Sequence, residues 1–426
     1  MKVIWFSFLF QILVLSLVKN LFIEVDILSH VFIFIHVIVS LLVILFSKSG
    51  HKYIFMVALL VRVLFLFWDI YARGIYILPN SGADSEDFYL QTLYFSQNIS
   101  TVFQVDGELY SKITGYILYL IGPRRIVAQY LNVILGLSVI MILSKILEML
   151  RIDSHLSKKM LFIASFFPIS IIMSAIFLRE IFPTFFIVCS LYFFVKWHTT
   201  GGFQNIIISL IMVILSSLFH SGVIGVSVGL IFAYLFYNRK NNKIEFTSIT
   251  ILLFLSFCVL GTLVFNILGN SLLIKFQNIS DISDIYVSAN SRLGESAYLL
   301  NLSINNMSQL ILFAPLKTLF FLTSPLPINW RGIMDVFTFF TDSILYLGTF
   351  YYFFKNKKFF FKDKQLIINL MLMILGASII FGIGVSNAGT AVRHRQKLTP
   401  IVFVAMSVMI YNKKNFIATK EQKNKE

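Results

Sequence analysis

The chain has 426 residues, of which 58% are hydrophobic and only 13% charged, and its mean hydropathy is +0.84. Soluble domains carry about 25% charged residues, so water-soluble, disordered and disulfide-framework classes are excluded and a polytopic membrane protein remains. The formal charge of +15, from 35 Lys and Arg against 20 Asp and Glu, reads in such a chain as a topology signal rather than as a nucleic-acid footprint.

A crossing helix needs about 17–25 apolar residues. Runs of that kind lie near 3–22, 26–46, 53–72, 130–149, 160–178, 181–197, 204–219, 221–237, 247–268, 333–354, 366–386 and 398–411. The expectation is therefore an all-α bundle of about twelve transmembrane helices, one membrane domain over 1–411. The first run follows Lys2 and reads as a retained span, since no small-x-small cleavage site precedes Lys19. Residues 113–122 are too short to cross. Residues 307–324 are interrupted by Pro315 and Lys317, and both segments read as interfacial or re-entrant pieces. The Lys/Asn/Glu tail, 412–426, reads as disordered. Cys189 and Cys258 sit inside apolar runs, so neither a disulfide framework nor a zinc site is indicated.

With a cytoplasmic N-terminus, most short basic clusters fall on one side: Lys48 and Lys52, Arg151 with Lys158 and Lys159, Lys196, Arg239 with Lys240 and Lys243, and the lysines of 355–364. An even number of spans returns the basic tail to that side. Arg124-Arg125 and the cluster at 393–397 are the exceptions. Two long loops, about 73–129 and 269–332, then face outward, together with turns at Arg179-Glu180 and His220-Ser221 and a loop at 387–397.

Four outward features carry candidate chemistry. The segment Gly82 to Tyr89 holds Asp84, Glu86 and Asp87 ahead of apolar residues at helical spacing. Asp84 can cap that helix with Asp87 as its partner three residues on. One of the acids can instead serve as a general base, or the three can take a divalent cation. Arg179 ends a span. It can snorkel, pair with an outer acid, or hold a pyrophosphate bidentately. His220 lies at a tight turn and is either an ordinary interfacial residue or a proton acceptor. Arg393, His394, Arg395 and Lys397 run against the positive-inside bias, so an anionic partner is expected: an outer acid such as Glu108 or Glu295, or a lipid-linked phosphate. Trp330 and Arg331 follow two prolines. Trp330 suits an interface anchor or a platform for a sugar ring. Within the third span, Arg62 and Asp69 are seven apart and suit an internal pair or a cavity lining.

The segments ADSEDFY, FPISIIMSAIFLREIFP, LFHSG and GTAVRHRQKLTP, in that order over about 80–400, resemble bacterial membrane glycan polymerases of the Wzy and EpsG-like type. They are also similar to the broader GT-C glycosyltransferases. His220-Ser221 is followed by glycines at 222, 225 and 229, which departs from the spacing of the related O-antigen ligases. The resemblance implies polymerisation of undecaprenyl-pyrophosphate-linked oligosaccharide repeats into O-antigen, capsule or exopolysaccharide at the outer face of the bacterial inner membrane, both termini being cytoplasmic. The partners implied are that lipid-linked oligosaccharide, membrane lipid and a chain-length regulator, and no nucleic acid. Asp84, Glu86 or His220 would then orient or deprotonate the acceptor hydroxyl. Arg179, Arg393 and Arg395 would hold the pyrophosphate, with Trp330 and Arg331 beside the glycan. No cofactor is required, although Asp84, Glu86 and Asp87 would suit a divalent cation. The alternatives are a GT-C transferase adding one sugar from a polyprenyl-phosphate donor, and a flippase for lipid-linked glycans.

Overall fold

The computed structural model describes residues 1–18, 27–238, 241, 243–256, 290, 296–360 and 363–423. Among them the chain is an all-α membrane bundle. Seven helices are long and apolar enough to cross, or eight if one bent pair is a single span. Four further apolar helices are shorter. Strand among the described residues is limited to one antiparallel pair of two-residue strands, Tyr237–Asn238 against Lys243–Ile244. The chain separates into two compact units, Met1–Ser144 with Leu161–Phe185, and Lys145–Met160 with Phe186–Glu426.

The first unit begins with α1 (Lys2–Val18), α2 (Ile27–Leu45) and α3 (Lys52–Tyr71). The third span ends in polar chain leading to α4 (Ala83–Gln97) and α5 (Leu109–Ile121), which pack on each other. Next come α6 (Arg125–Met149) as far as Ser144, α7 (Ser154–Ser165) from Leu161 on, and α8 (Pro168–Ala175). Helix α6 is buried nearly all round, as a helix apolar on every face must be. Its few polar side chains tie its neighbours to it. Ser138 accepts from the Trp5 indole at 3.0 Å, and Ser144 lies 3.0 Å from His51. The Tyr130 hydroxyl sits 2.8 Å from Nδ1 of His36, whose Nε2 faces the Ile4 carbonyl at 3.1 Å. A carbonyl can only accept, so Nε2 carries the ring proton and Nδ1 accepts from the tyrosine.

The second unit holds α9 (Ile181–Thr200), α10 (Phe203–Phe219), a 3₁₀ turn over Ser221–Val226 and α11 (Ser227–Phe236). Residues 248–256 are also helical. Helix α12 (Met307–Thr323) precedes α13 (Ile333–Thr338), a π turn over Phe339–Ser343 and α14 (Ile344–Asn356). Helices α15 (Lys364–Gly384), α16 (Ala388–Gln396) and α17 (Thr399–Lys423) complete it. Helix α15 is its hub, packed by α11, α12, α17 and the 3₁₀ turn. Small residues permit the closest approach: a Cβ on Gly225 would stand 2.5 Å from the Gly376 carbonyl oxygen and 2.6 Å from the Ala377 Cα. Backbones this near gain dispersion that no larger side chain allows.

Several expectations change. The span expected at 160–178 is α7 and α8, bent by 52°; Pro168 starts the second piece, where its missing N–H costs nothing. Pro315 does not interrupt 307–324, which is one helix with the proline inside it. The short last span and the tail expected to be disordered form one helix as far as Lys423. The loop expected at 387–397 is largely α16, capped by the Asn387 side chain, which accepts from the Thr390 amide. Expectations resting on Lys19, Arg239, Lys240, Cys258, Glu295, Lys362 and Lys425, on residues 257–268 of the ninth run, and on most of 269–295 lie outside the described residues.

Gly225→Leu should push α15 away and lower stability by about 1–3 kcal/mol through overpacking. The thermal midpoint of the purified protein in detergent measures this, with Gly332→Ala, where a Cβ meets open space, as the neutral control.

Candidate functional site

Polar side chains gather at one end of the first unit, where α3 finishes and α6 begins. Asp69 and Arg73 occupy the last turn of α3 and the residues after it, four apart and on one face. Asp69 is fully buried. It accepts from the Arg73 guanidinium, from the Ser81 hydroxyl and from the Gln129 amide at 2.8 Å. Arg73 reaches onward to the Ser81 hydroxyl at 2.7 Å and to Glu86. Glu86 enters from the first turn of α4 and also takes a two-pronged donation from Arg125, 2.9 Å on each carboxylate oxygen. The Arg125 guanidinium lies over the Tyr89 ring at 4.7 Å and near Phe177 at 5.7 Å.

Arg179 belongs to the same unit. The turn that presents it, 176–180, is fastened to α6. The Asn132 side-chain amide donates to the carbonyls of Ile176 at 2.8 Å and Leu178 at 3.0 Å, and Gln129 donates to that of Ala175 at 2.6 Å. Arg179 pairs with Glu108 and lies 5.5 Å from the Phe88 ring centre. The unit therefore presents three guanidiniums, of which Arg125 lies against Tyr89 and Phe177 and Arg179 against Phe88, while Arg73 is held by carboxylates and the Ser81 hydroxyl. Such a surface suits a doubly charged phosphoryl group beside a sugar ring.

Glu86 changes role. Hydrogen bonds from Arg125 and then Arg73 hold its carboxyl down at about 2, so it stays ionised and is a feeble base near neutral pH. Asp84 does not cap α4: the cap residue is Gly82, with no side-chain cap bond, and Asp84 falls inside the first turn, exposed. Asp87 is exposed as well, and among the described residues no three His, Cys, Asp or Glu side chains converge as a metal site would need. Arg62 and Asp69, both buried, do not pair with each other. Arg62 donates to the carbonyls of Ala58 and Ser165 at 3.0 and 3.2 Å.

The second unit has its own basic cluster. The His220 and His394 rings stand 4.1 Å apart, and both face Phe381, at 5.2 and 4.9 Å. Gly222 makes room, since a Cβ there would meet the Phe381 ring at 2.5 Å. Lys397 Nζ is 2.9 Å from His394 Nδ1, and Lys317 donates to the Ser386 hydroxyl at 2.9 Å. Arg395 is fully buried and engaged on every nitrogen: Nε donates to Asp342 at 2.6 Å, Nη1 to the Phe321 carbonyl at 2.5 Å, and Nη2 to the Ser324 carbonyl at 2.5 Å. It is a structural cross-link between α12, the π turn and α16, and offers nothing to a phosphate. Arg393 projects from the same short helix. Trp330 donates to the Pro325 carbonyl at 3.1 Å and packs edge-on against Phe339 at 5.6 Å, so its ring serves the turn. Arg331 pairs with Asp335 at 3.2 Å at the surface.

Sequence reasoning missed Arg73, Ser81, Gln129 and Asn132, and it noted Arg125 only as an exception to the charge bias. That exception was the available signal. No family model, curated protein or solved structure matches the chain.

Two outcomes test this geometry. Because the folded Glu86 carboxyl sits below its ordinary 4.5, its pairing stabilises at neutral pH and is lost as the pH falls from about 4 towards about 2. Thermal midpoints of wild type and Glu86→Gln should differ at pH 6 and converge near pH 2. Asp342→Ala should strand the Arg395 charge and cost about 3–5 kcal/mol, whereas a paired Asp342→Leu, Arg395→Met replacement should recover most of it; denaturation of the detergent-solubilised protein reads both.

Proposed function

We propose that the protein polymerises oligosaccharide repeat units carried on undecaprenyl pyrophosphate at the outer face of a bacterial cytoplasmic membrane, as a member of the Wzy and EpsG-like type. The observation that carries this reading is the arginine group of the first unit. Arg73, Arg125 and Arg179 lie at helix ends; Arg125 is backed by Tyr89 and Phe177, Arg179 by Phe88, and Arg73 shares Glu86 with Arg125. In the reaction an acceptor hydroxyl attacks the anomeric carbon of the growing chain, and lipid pyrophosphate departs. Negative charge collects on the leaving group, which is where fixed guanidiniums stabilise most. Asp84, exposed on the same helical turn as Glu86, is the carboxylate we assign to orient the acceptor.

The second unit's basic cluster, around His220, His394 and Lys397, is by itself a group of cations suited to a lipid-borne phosphate. Arg393 stays with that cluster in our assignment, while Arg395 is given a structural part. We further assign twelve crossings, counting the bent pair, the shorter apolar helices before residue 237 and the run that starts at 247 among them. Helix α12 is re-entrant in that scheme, both termini are cytoplasmic, and the arginine end faces outward.

Arg125→Ala or Arg179→Ala should abolish chain growth, leaving surface glycan one repeat long, while the protein level in the membrane is unchanged. Lysine at either position should restore only part of the ladder, because it cannot reproduce the two-pronged contact. Electrophoresis of the glycans from complemented deletion cells checks this; full-length ladders from both alanine variants would remove the arginine group from the reaction.

A further inference from the structure

Glu86 occupies its site in an unusual way. Its two oxygens take both prongs of Arg125 and one nitrogen of Arg73. Each arginine keeps a second anchorage that does not involve Glu86. Arg73 is held by the buried Asp69 and by Ser81. Arg125 is held by the ring of Tyr89 and by Phe177, with Gln129 at 3.5 Å. The guanidiniums are largely covered, with 25% and 18% of their side chains exposed, while Glu86 is 41% exposed. The carboxylate is thus the outermost member of the cluster and the one freest to swing away. It sits one turn into α4, after a glycine whose Cβ position is open space.

We infer that Glu86 is an internal stand-in for a phosphoryl group, and that the Arg73–Arg125 pair is an anion site which the bound phosphate of a lipid headgroup opens by displacing it. The choice of a lipid-borne phosphoryl group rests on the proposed function; the anion site itself rests on the geometry. A phosphoryl group offers the same planar pair of oxygens to Arg125 and a third to Arg73, with more charge than a carboxylate. Displacement moves an exposed side chain only, and the two arginines stay rooted. Glu86 also supplies a second negative charge to the two guanidiniums, of which only Arg73 has another carboxylate, Asp69, and so eases their mutual repulsion. The device therefore trades affinity for order: the site is preformed, but any ligand must first compete with a tethered carboxylate.

The test is ligand binding, separate from chain growth. Full-length protein in phosphatidylcholine nanodiscs is titrated with undecaprenyl phosphate and, in a second series, with inorganic pyrophosphate. Removing the competing charge by Glu86→Gln should tighten binding by roughly tenfold, the effect of one charge-assisted contact. The gain should vanish in Glu86→Gln, Arg125→Ala. A gain for undecaprenyl phosphate identifies the headgroup as the ligand. A gain for pyrophosphate alone keeps the anion site but makes its ligand a free phosphate. Unchanged or weaker binding of both probes by Glu86→Gln overturns the proposal. Glu86→Asp, too short to reach both arginines, gives the same reading if the glutamine variant fails to fold. Should Glu86→Gln bind more tightly while wild-type membranes never lengthen a glycan, the anion site stands and the polymerase reading falls.

Discussion

A guanidinium carried into an apolar helical body must find its partners in protein, because no water is there to answer five N–H groups and a permanent charge. The chain meets this constraint in two ways. Arg62 and Arg395 are buried outright and held by fixed groups: two carbonyls on one nitrogen of the first, whose Nε meets no acceptor, and a carboxylate with carbonyls for the second. Arg73, Arg125 and Arg179 lie at helix ends and are answered by Glu86 and Glu108, side chains that remain partly exposed. The first kind of arginine fixes architecture. The second meets carboxylates that stay within reach of solvent, which is why the proposed anion site falls on it.

The same constraint explains how the first unit is built around α6. Gln129 and Asn132 are among the few polar side chains on this largely apolar helix, and both spend their amides on the backbone of 175–178. Those carbonyls lie beyond the end of α8, where helical partners have run out. Satisfying them locks the turn and, with it, the direction in which Arg179 leaves. A change at Asn132 would therefore act on Arg179 without touching it, through the loss of two carbonyl acceptors' donor. In the second unit Tyr346 performs a comparable task, donating to the Arg395 carbonyl at 2.5 Å while Asp342 holds the side chain. The π turn over Phe339–Ser343 sets Asp342 and Ser343 towards that arginine, a local departure from α geometry that serves a buried charge.

Much of this was legible in the amino-acid order, and the reason is the bilayer. A spanning segment must satisfy its backbone internally, so length and apolar composition alone declare a helix. The all-α class, most helix positions, and the turns at Arg179 and His220 follow from that rule. The misplaced charges at 124–125 and 393–397 also marked regions of polar structure. What charge counting could not do was sort them. Arg395 and Arg125 look alike in sequence; one is sealed beside Asp342, the other stacks on Tyr89 and grips Glu86.

By itself, then, the sequence determined a membrane-embedded helical chain with its uncommon ionic groups at segment ends, because hydropathy and period are local properties that need no partner. Only the tertiary structure decided which acid meets which arginine. It turned Glu86 from a base into an ion-pair partner, gave Asp69 to Arg73, Ser81 and Gln129 rather than to Arg62, and separated fully buried guanidiniums from those at helix ends with partly exposed partners. Those outcomes depend on contacts between residues far apart in the chain, 60 positions for Gln129 and Asp69 and 74 for Arg395 and Phe321, and on the depth at which each charge comes to rest. No pattern along the chain encodes either.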